Sequence, residues 1–558
     1  MWRSRFLGVL ILSCFAVWAG RSFYLQVIYS DFLQGKGESR YKRVLEITAS
    51  RGKILDRNGE ILALSTPMRS IWAIPADIRL TADQIRQLAN LLEMEPEEVS
   101  RRLNSDRSFV FLRRQLPPET ARKIAKLRLP GIGQSTEYRR FYPSGEIAAH
   151  VVGFTGIDNR GLEGVELAFE EQLQGRAGSR SVIKDRRRKI VEDIGSIKHP
   201  RDGENIHLAL DAKIQYKAYS HLRQAVVNHK AKAGSVIVVD VKTGEILALA
   251  NWPTYNPNNR DNLSGPQLRN RAVTDSFEPG STLKPFAAAL ALEKSKFRFD
   301  SVINSAPGRI TIGGSTISDP RSYGALTVAQ IIQKSSNVGM AKIATELPSR
   351  AMWEMFNSIG FGQASHLGFP GEVSGRLRPW QSWRPIEQAT MAYGHGISVS
   401  LMQLARAYMV FARDGEMIPL SLTKVSGPLP KGLQIFSPQT AREMRTMLEM
   451  AVQPGGTGTR ARVHGYRIAG KTGTALKVEG GQYVQRYVAS FVGFAPASDP
   501  RLLVAVKLDD PQVGGFHGGI VAAPVFSHVM ASALRAFAIP QEMSVQMEQG
   551  DASGRERL

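Results

Sequence analysis

An apolar run begins at the sixth residue, and it constrains this chain more than any other feature. Arg3 and Arg5 precede the run, which covers residues 6–19, and Arg21 follows it. This is short for a membrane span, which needs about 20 residues, but residues 24–28 extend it if Arg21 reaches the headgroups. A basic start followed by an apolar block is a targeting pattern. The rest of the chain is therefore predicted to be exported.

Three interpretations of this segment compete. A signal-peptidase site would lie at residues 17–19. Residues 11–14 loosely match a lipoprotein box, but the apolar run continues past Cys14. In the third interpretation residues 6–28 stay as an uncleaved anchor, behind a cytoplasmic end of residues 1–5 with positive charge inside. The anchor is favoured slightly over the cleaved signal, and a buried helix of a soluble domain fits least well.

The chain has 558 residues, which allows three or four domains at roughly 150 residues each. Its 72 Lys and Arg against 50 Asp and Glu give a formal charge of +22, which favours an anionic partner such as nucleic acid, lipid headgroups or an acidic polymer. The single cysteine excludes an intramolecular disulfide. After the anchor, composition predicts an extended, basic first module over residues 29–205, a larger compact module over 206–540 and a polar tail over 541–558.

Short-range signals predict several elements. The Asn-Gly pair at residues 58–59 predicts a hairpin, and a capping box opens a helix over residues 81–92. Asp211 is expected to cap another helix. Apolar runs within residues 235–250 form a second predicted hairpin. An amphipathic helix is predicted over residues 162–173.

Nucleophilic catalysis by serine needs a base within hydrogen-bond reach. A helical Ser-x-x-Lys supplies one, because residues i and i+3 share a face. The pattern carries little weight alone, since it occurs at Ser39/Lys42, Ser50/Lys53, Ser181/Lys184, Ser281/Lys284 and Ser421/Lys424. Only Ser281 opens a long apolar helix, over residues 281–294, where the helix dipole favours developing negative charge. Burial or nearby positive charge would lower the pKa of Lys284 enough for it to act as a base.

Two further motifs follow along the chain. Lys-Thr-Gly occurs at residues 242–244, in the turn of a predicted hairpin, and at 471–473, inside a strand predicted over 467–478. Glycine in that strand lets a substrate backbone approach, and lysine with threonine hydroxyls can hold a carboxylate. Ser-x-Asn occurs once, at residues 335–337.

Three other patterns have weaker support. Residues 465–472 fit the P-loop template, but neither the strand before it nor the helix after it is predicted. The basic run at residues 184–189 would suit nucleic acid, yet no aromatic platform accompanies it, so a solvated strand or turn is favoured. No two of the ten histidines stand at i,i+3 or i,i+4, so no zinc-binding helix is predicted.

Taken in order, the three motifs resemble those of the class B penicillin-binding proteins, and most closely the division-type members (penicillin-binding protein 3, FtsI-like). The first module adds three segments similar to that family, at residues 51–59, 140–145 and 161–166. One departure is His395, which stands where the family pattern leads us to expect an aromatic residue.

The resemblance implies an α+β fold, with a five-stranded antiparallel sheet flanked by helices in a transpeptidase domain over residues 206–540. The expected architecture also includes an elongated, dimerisation-type pedestal over residues 29–205 and a single membrane anchor. The implied activity is D-alanyl-D-alanine transpeptidation, which cross-links peptidoglycan stem peptides to an amine acceptor in septal cell-wall synthesis. β-Lactams are the implied covalent inhibitors, and no metal, organic cofactor or nucleic acid is implied.

The resemblance also implies a location and partners. The chain would cross the inner membrane once, with its bulk in the periplasm. No transglycosylase module is evident in residues 25–205, so a separate SEDS-type glycan polymerase (FtsW-like) and other division proteins are the expected partners.

Carried over residue by residue, the resemblance assigns catalytic roles to five side chains. Ser281 would attack the penultimate D-Ala carbonyl, and Lys284 would take its proton. Ser335 would relay a proton to the departing D-Ala. Asn337 would position the stem peptide and Lys284, and Lys471 would tune this network.

Substrate binding is assigned to the residues after that lysine. Thr472 and Thr474 would bind the terminal carboxylate, and Gly473 lies between them. Backbone N–H groups of Ser281 and Thr474 would form the oxyanion hole.

Three rival functions remain. A β-lactamase or carboxypeptidase passes the acyl group to water, and the water-activating Glu-x-x-Leu-Asn motif of class A lactamases is not found in the sequence. A non-catalytic division scaffold or β-lactam sensor would carry a vestigial site, although a sensor is expected to have a larger cytoplasmic part than residues 1–5. The third rival is a P-loop ATPase.

Overall fold

The computed structural model describes residues 2–30, 42–184, 190–261 and 263–542. Its contacts divide the chain into two compact units. The first comprises Met1–Gly52, Pro67–Tyr138 and Gln174–Glu204, and the second comprises Lys53–Thr66, Arg139–Leu173 and Asn205–Leu558. The second unit thus includes two stretches of the predicted pedestal, and the domain bounds expected at residues 5, 28, 205 and 540 stay predictions.

The N-terminal helix α1 covers Trp2–Phe23 and continues as a π-helical turn over Tyr24–Ile28. None of the residues of α1 is buried, and Trp18 is 80% exposed. Within the described ranges, Trp2–Ile28 is the one helix long and apolar enough to cross a membrane. An apolar helix of this length with no buried residue suits a lipid environment, so it is the candidate for the single anchor predicted over residues 6–28.

Short strands and helices alternate before residue 205. They are β1 (Lys42–Ile47), β2 (Ile54–Leu55), β3 (Ile61–Ala73), α2 (Ala82–Leu92), α3 (Pro96–Leu103), β4 (Val110–Leu116), α4 (Pro118–Lys126), β5 (Ile132–Phe141), α5 (Ala149–Val152), β6 (Phe154–Thr155), β7 (Gly161–Glu163), α6 (Gly164–Ala168), α7 (Glu170–Leu173), β8 (Gly178–Lys184) and β9 (Ile190–Lys198).

In the first unit, β8 pairs antiparallel with both β1 and β9. The end of β3 pairs antiparallel with β4, and β3 also pairs with β5. A small core forms where α2, α3 and α4 bury Leu88, Val99 and Ile124 together. The predicted capping box is confirmed, because Thr81 and Gln84 exchange side-chain to backbone hydrogen bonds at the start of α2.

The larger unit contains most of the remaining elements. They are β10 (Ile206–His207), α8 (Ala212–Asn228), β11 (Ala233–Asp240), β12 (Ile246–Trp252), α9 (Gly265–Leu268), α10 (Arg271–Thr274), β13 (Ser276–Phe277), α11 (Lys284–Lys294), β14 (Val302–Asn304), β15 (Arg309–Ile312), β16 (Ser315–Ser318), β17 (Ala325–Thr327), α12 (Val328–Lys334), α13 (Asn337–Thr345), α14 (Ser349–Ser358), α15 (Pro385–Met391), β18 (Val399–Ser400), α16 (Leu401–Ala412), β19 (Glu416–Met417), β20 (Leu433–Gln434), α17 (Pro438–Met450), β21 (Ala469–Glu479), β22 (Gln482–Ala495), β23 (Leu502–Asp509), α18 (Gly518–Val521) and α19 (Ala523–Ala536).

A five-stranded antiparallel sheet organises this unit, in the order β12-β11-β23-β22-β21. Strand β11 is buried along its whole length, so both faces of the sheet are covered. Val236 and Val238 pack with α8 and α19 on one face, whereas Ile237 and Val239 join the core that contains α11 and α16 on the other. The predicted α+β class, with helices flanking a five-stranded antiparallel sheet, is confirmed.

Most local predictions agree with the structure. The β2–β3 hairpin turns at residues 57–59, where Gly59 has a positive φ of 89°. Asp211 caps α8 by accepting hydrogen bonds from two backbone N–H groups of its first turn. Strands β11 and β12 form the second predicted hairpin.

The prediction of a helix over residues 162–173 is wrong. The segment begins as β7, which pairs with β6, and only then forms the short helices α6 and α7. Gly164 has a positive φ of 61°, and a Cβ there would lie 2.6 Å from the backbone nitrogen of Gly153. Close approach of two backbones breaks the periodic helix.

Candidate functional site

Ser281 lies in a 3₁₀ turn, Gly280–Leu283, directly before α11. The turn is held on both sides: the Thr282 hydroxyl donates to Pro279 O at 2.7 Å, and the buried Tyr408 hydroxyl donates to Thr282 O at 2.6 Å. Ser281 itself is half-buried. The predicted position at a helix N-terminus is confirmed, although the first turn is tighter than an α-helix.

Lys284 is completely buried at the start of α11. Its Nζ lies 2.5 Å from Ser335 O, 2.8 Å from Asn337 Oδ1 and 3.1 Å from Ser335 Oγ. Burial, and then the nearby charge of Lys471, hold the pKa of Lys284 well below its usual range, while Asp319 acts in the opposite direction. Low solvation and a like charge both favour a neutral amine.

Lys471 is also buried, at 1% exposure, in the first half of β21. Its Nζ donates to Ser335 Oγ at 2.9 Å. Burial lowers the pKa of Lys471 to about 7. Two buried lysines thus meet at one hydroxyl oxygen, and at neutral pH their shared environment disfavours a second positive charge.

The segment 335–337 connects α12 to α13. Ser335 has a left-handed backbone, with φ of 61°, which ends α12 and turns its side chain toward the two lysines. The Asp319 carboxylate accepts from Ser336 Oγ at 2.6 Å and from the backbone N–H groups of Asn337 and Val338 at 2.5 and 3.2 Å. A carboxylate at the N-terminus of α13 is favoured by the helix dipole, so Asp319 fixes the position of Asn337.

Strand β21 lies directly against the Ser281 turn. A Cβ added at Gly473 would lie 2.7 Å from Pro279 O and 2.9 Å from Thr282 Cγ2, and a Cβ at Gly280 would lie 2.9 Å from Thr474 O. The two glycines therefore allow the backbones of the turn and the strand to touch. In the sheet order β21 is the last strand, so its outer side is available to an extended ligand.

The two threonines of β21 have different partners. Thr472 Oγ1 shares a hydrogen bond of 2.8 Å with Thr457 Oγ1. Thr474 Oγ1 accepts from the backbone N–H of Gly518 at 3.1 Å, which leaves its own proton for another acceptor.

His395 lies near this cluster on the loop between α15 and β18. Its ring centroid is 5.2 Å from that of Tyr393 and 6.2 Å from that of Tyr483. Burial, and then the charge of Lys284, lower the pKa of His395 to about 4. The ring is therefore neutral at physiological pH and fills the place of the expected aromatic residue as an uncharged ring.

Two side chains important to this geometry had no signal in the sequence. Asp319 holds the Ser-x-Asn segment, and Tyr408 holds the Ser281 turn. Neither belongs to a short motif. Tyr393 belongs to the same segment as His395, and its ring centroid lies 5.9 Å from Lys284 Nζ.

The competing motifs have different outcomes. The first Lys-Thr-Gly forms the turn between β11 and β12, as predicted. Residues 469–479 are strand, and no helix follows, so the P-loop interpretation of 465–472 is wrong. Residues 185–189 of the basic run, Ser39 of one Ser-x-x-Lys pair and residues 543–558 of the tail lie outside the described residues. Among the residues that the structure does describe, no group of three or more His, Cys, Asp or Glu could hold a metal ion.

Comparisons with known families cover most of the chain. Residues 46–208 match the Penicillin-binding Protein dimerisation domain, and residues 234–531 match the Penicillin binding protein transpeptidase domain. A Neisseria gonorrhoeae protein named probable peptidoglycan D,D-transpeptidase PenA is 43% identical over 531 residues, covering 94% of this chain and 91% of the relative. The Escherichia coli K12 protein named peptidoglycan D,D-transpeptidase FtsI is 43% identical over 542 residues, covering 96% and 92%.

Solved structures show the same similarity. The apo transpeptidase domain of Burkholderia pseudomallei penicillin-binding protein 3 aligns with a TM-score of 0.56 at 48% identity, covering 60% of this chain and 97% of that one. A peptidoglycan synthetase from Bifidobacterium adolescentis aligns with a TM-score of 0.72 at 27% identity, covering 90% of this chain and 98% of that one.

Proposed function

This chain belongs to the class B penicillin-binding proteins, and on that premise we propose that it is a peptidoglycan D,D-transpeptidase of septal wall synthesis that works through an acyl-enzyme on Ser281. The observation that carries the residue assignment is the convergence of three distant motifs. Lys284 Nζ bonds Ser335 and Asn337, Lys471 Nζ bonds the same Ser335 hydroxyl, and the strand of Lys471 touches the Ser281 turn.

Acylation begins with the Ser281 hydroxyl attacking the carbonyl carbon of the penultimate D-Ala. Lys284 accepts the hydroxyl proton, which requires a neutral amine. A neutral amine keeps two N–H donors, and the two shortest Lys284 contacts are to Ser335 O and Asn337 Oδ1. Its lone pair is then left for a hydroxyl proton.

Collapse of the tetrahedral intermediate breaks the bond to the terminal D-Ala, whose nitrogen needs a proton. Ser335 lies within hydrogen-bond distance of both Lys284 and Lys471, so it can pass a proton from either lysine to the leaving amine. We assign Lys471 the role of tuning this exchange, since its pKa of about 7 lets it hold or give a proton near neutral pH.

Strand β21 orients the substrate. The terminal carboxylate would accept hydrogen bonds from the hydroxyls of Thr472 and Thr474, while Gly473 between them allows the strand to approach the Ser281 turn. The backbone N–H groups of Ser281 and Thr474 would form the oxyanion hole, and the N-terminus of α11 adds a favourable dipole. An amine of a second stem peptide then resolves the acyl-enzyme.

The cellular arrangement extends this proposal. The candidate anchor Trp2–Ile28 would hold the protein in the inner membrane with its catalytic unit in the periplasm. The segment before the transpeptidase domain matches a dimerisation domain, so the glycan strands would be polymerised by a separate enzyme of the SEDS (FtsW-like) type among other division proteins.

The test uses full-length protein purified from membranes. Labelled penicillin should attach to the wild-type chain at Ser281, as located by mass spectrometry, and the Ser281→Ala variant should lose both labelling and cross-linking. Ser421→Ala, from another Ser-x-x-Lys pair, is the matched control and should keep both. Cross-linking retained in Ser281→Ala would overturn the assignment.

The lifetime of the acyl-enzyme separates a transpeptidase from a β-lactamase. With no amine acceptor present, the penicilloyl mass on Ser281 should persist for much longer than the acylation time. Rapid return of the unmodified mass together with catalytic loss of penicillin would support hydrolysis instead.

A further inference from the structure

A strongly basic pocket lies beside the proposed catalytic site and has no role in the reaction described above. It has a volume of about 340 Å³ and is lined by five cationic side chains: Lys232, Arg269, Arg271, Lys477 and Lys507. Only two carboxylates, Asp275 and Asp509, line the same pocket. The lining therefore carries an excess of positive charge.

Both carboxylates are already engaged. Asp275 forms ion pairs with Arg269 at 2.6 Å and with Arg271 at 2.9 Å. Asp509 forms an ion pair with Lys477 at 2.7 Å. Burial alone would raise the pKa of Asp275, but Lys507, Arg269 and Arg271 together lower it. Its negative charge is thus shared among several cations.

Lys507 stands out in this pocket because it is only 3% exposed. Across the described ranges, its ammonium has no hydrogen bond and no ion pair within 4.0 Å, and its close neighbour is the Phe277 ring, whose centroid is 5.1 Å from Nζ. Burial lowers the pKa of Lys507, and nearby Asp275 and Asp509 partly oppose this. The ammonium therefore borders the pocket without a protein hydrogen bond, and a charge in that position is available to an anionic ligand.

The basic pocket adjoins a second cavity. That cavity, of about 520 Å³, shares Ser276, Phe277, Lys477 and Val488 with the basic pocket. It is also lined by Glu278 and Leu476. Glu278 lies shortly before Ser281 in the chain, and Leu476 follows Thr474 on β21, so the second cavity is lined by residues next to both segments.

We propose that the basic pocket binds a carboxylate of the peptide substrate at a position before its terminal D-Ala-D-Ala. This proposal rests on the transpeptidase function. A donor whose terminal carboxylate lies at Thr472 and Thr474, running antiparallel to β21, would place its preceding residues along Leu476 and Lys477. Those two residues line the cavities just described. Lys507 and Arg269 would then donate charge-assisted hydrogen bonds to the substrate carboxylate.

The experiment compares two synthetic D-Ala-D-Ala donors that differ only in one upstream group, a carboxylate or its carboxamide. D-Ala release by the full-length protein in detergent is measured as kcat/KM for each donor. The wild-type protein should prefer the carboxylate donor by about tenfold, as expected for a charge-assisted bond. Lys507→Met and Arg269→Gln should each bring the ratio of kcat/KM for the carboxylate donor to kcat/KM for the carboxamide donor toward one.

Lys217→Gln, on the exposed side of α8, is the control and should keep the wild-type ratio. Arg269 is half-exposed, so its variant tests the pocket even if Lys507→Met does not fold. A matched pair of acceptor peptides, with and without the carboxylate, shows whether the donor or the acceptor strand supplies the group.

A wild-type ratio near one for both peptide pairs, or an unchanged ratio in both variants, would overturn the basic-pocket proposal alone. Failure of the transpeptidase function itself looks different: no donor would release D-Ala, and penicillin would not label Ser281.

Discussion

Lys284 and Lys471 direct their ammonium nitrogens to the same oxygen, Ser335 Oγ, at 3.1 and 2.9 Å. Both side chains are buried, so water does not screen their repulsion. Removing one proton relieves that repulsion and leaves one lysine as a base beside one lysine as an acid. A single hydrogen-bonded group therefore supplies both the base and the acid that an acyl transfer needs.

The pH dependence of acylation tests this relationship. Because the base must be neutral, the second-order rate constant for a fluorescent penicillin should rise as the pH increases. Lys471→Met removes the positive charge beside Lys284, so the pKa of Lys284 should increase and the midpoint should move to higher pH. Lys242→Met, in the other Lys-Thr-Gly, should leave the midpoint in place; a downward shift in Lys471→Met would contradict the prediction.

Loss of the shared hydroxyl should slow catalysis strongly. Ser335→Ala removes the group through which both lysines exchange protons, and general acid–base catalysis contributes about 10²–10⁴-fold. D-Ala release from a peptide donor should fall by that order, as measured by amino-acid analysis of the reaction. Ser358→Ala, an exposed hydroxyl on α14, serves as the control. A decrease of less than about threefold would argue against a relay through Ser335.

Asp319 is expected to act as a positioning residue. Asp319→Asn weakens the bonds to Ser336 and to the N-terminus of α13, so stability should fall by about 1–3 kcal/mol in denaturant unfolding. The lost negative charge also lowers the pKa of Lys284 further, which should move the pH midpoint of acylation downward. A purely structural role would change stability without moving that midpoint. Asp499→Asn, whose carboxylate is largely exposed, should change neither.

Gly473 is predicted to tolerate no side chain. The Cβ of Gly473→Ala would press on Ser490 Oγ of β22 and on Pro279 O and Thr282 Cγ2, so β21 must move relative to the Ser281 turn. Overpacking of this kind costs about 1–3 kcal/mol, and acylation by penicillin should decrease at least tenfold because the nucleophile moves away from β21. Gly265→Ala, with open space at its Cβ, is the control. An unchanged acylation rate would mean that the contact does not position Ser281.

Local signals were sufficient where a few adjacent residues decide the structure. The capping box at Thr81, the cap at Asp211 and the turn at Gly59 each depend on bonds within one turn of chain. The helix predicted over residues 162–173 failed because Gly164 meets the backbone of Gly153, a contact that helical periodicity cannot report.

The sequence by itself determined the apolar N-terminal helix and the order of the three motifs, since these depend on composition and on short patterns. The α+β class followed from the family resemblance that those motifs carry. Local context favoured one of several identical patterns, but it could not show which side chains meet. Only the tertiary structure decided that Lys284 meets Ser335 and Asn337, which are 51 and 53 positions away, and that Lys471 reaches Ser335 across 136 positions. Asp319, Tyr408 and the basic pocket around Lys507 emerged in the same way. Such contacts depend on how the sheet and helices pack, and packing brings together side chains whose separation along the chain has no period to detect.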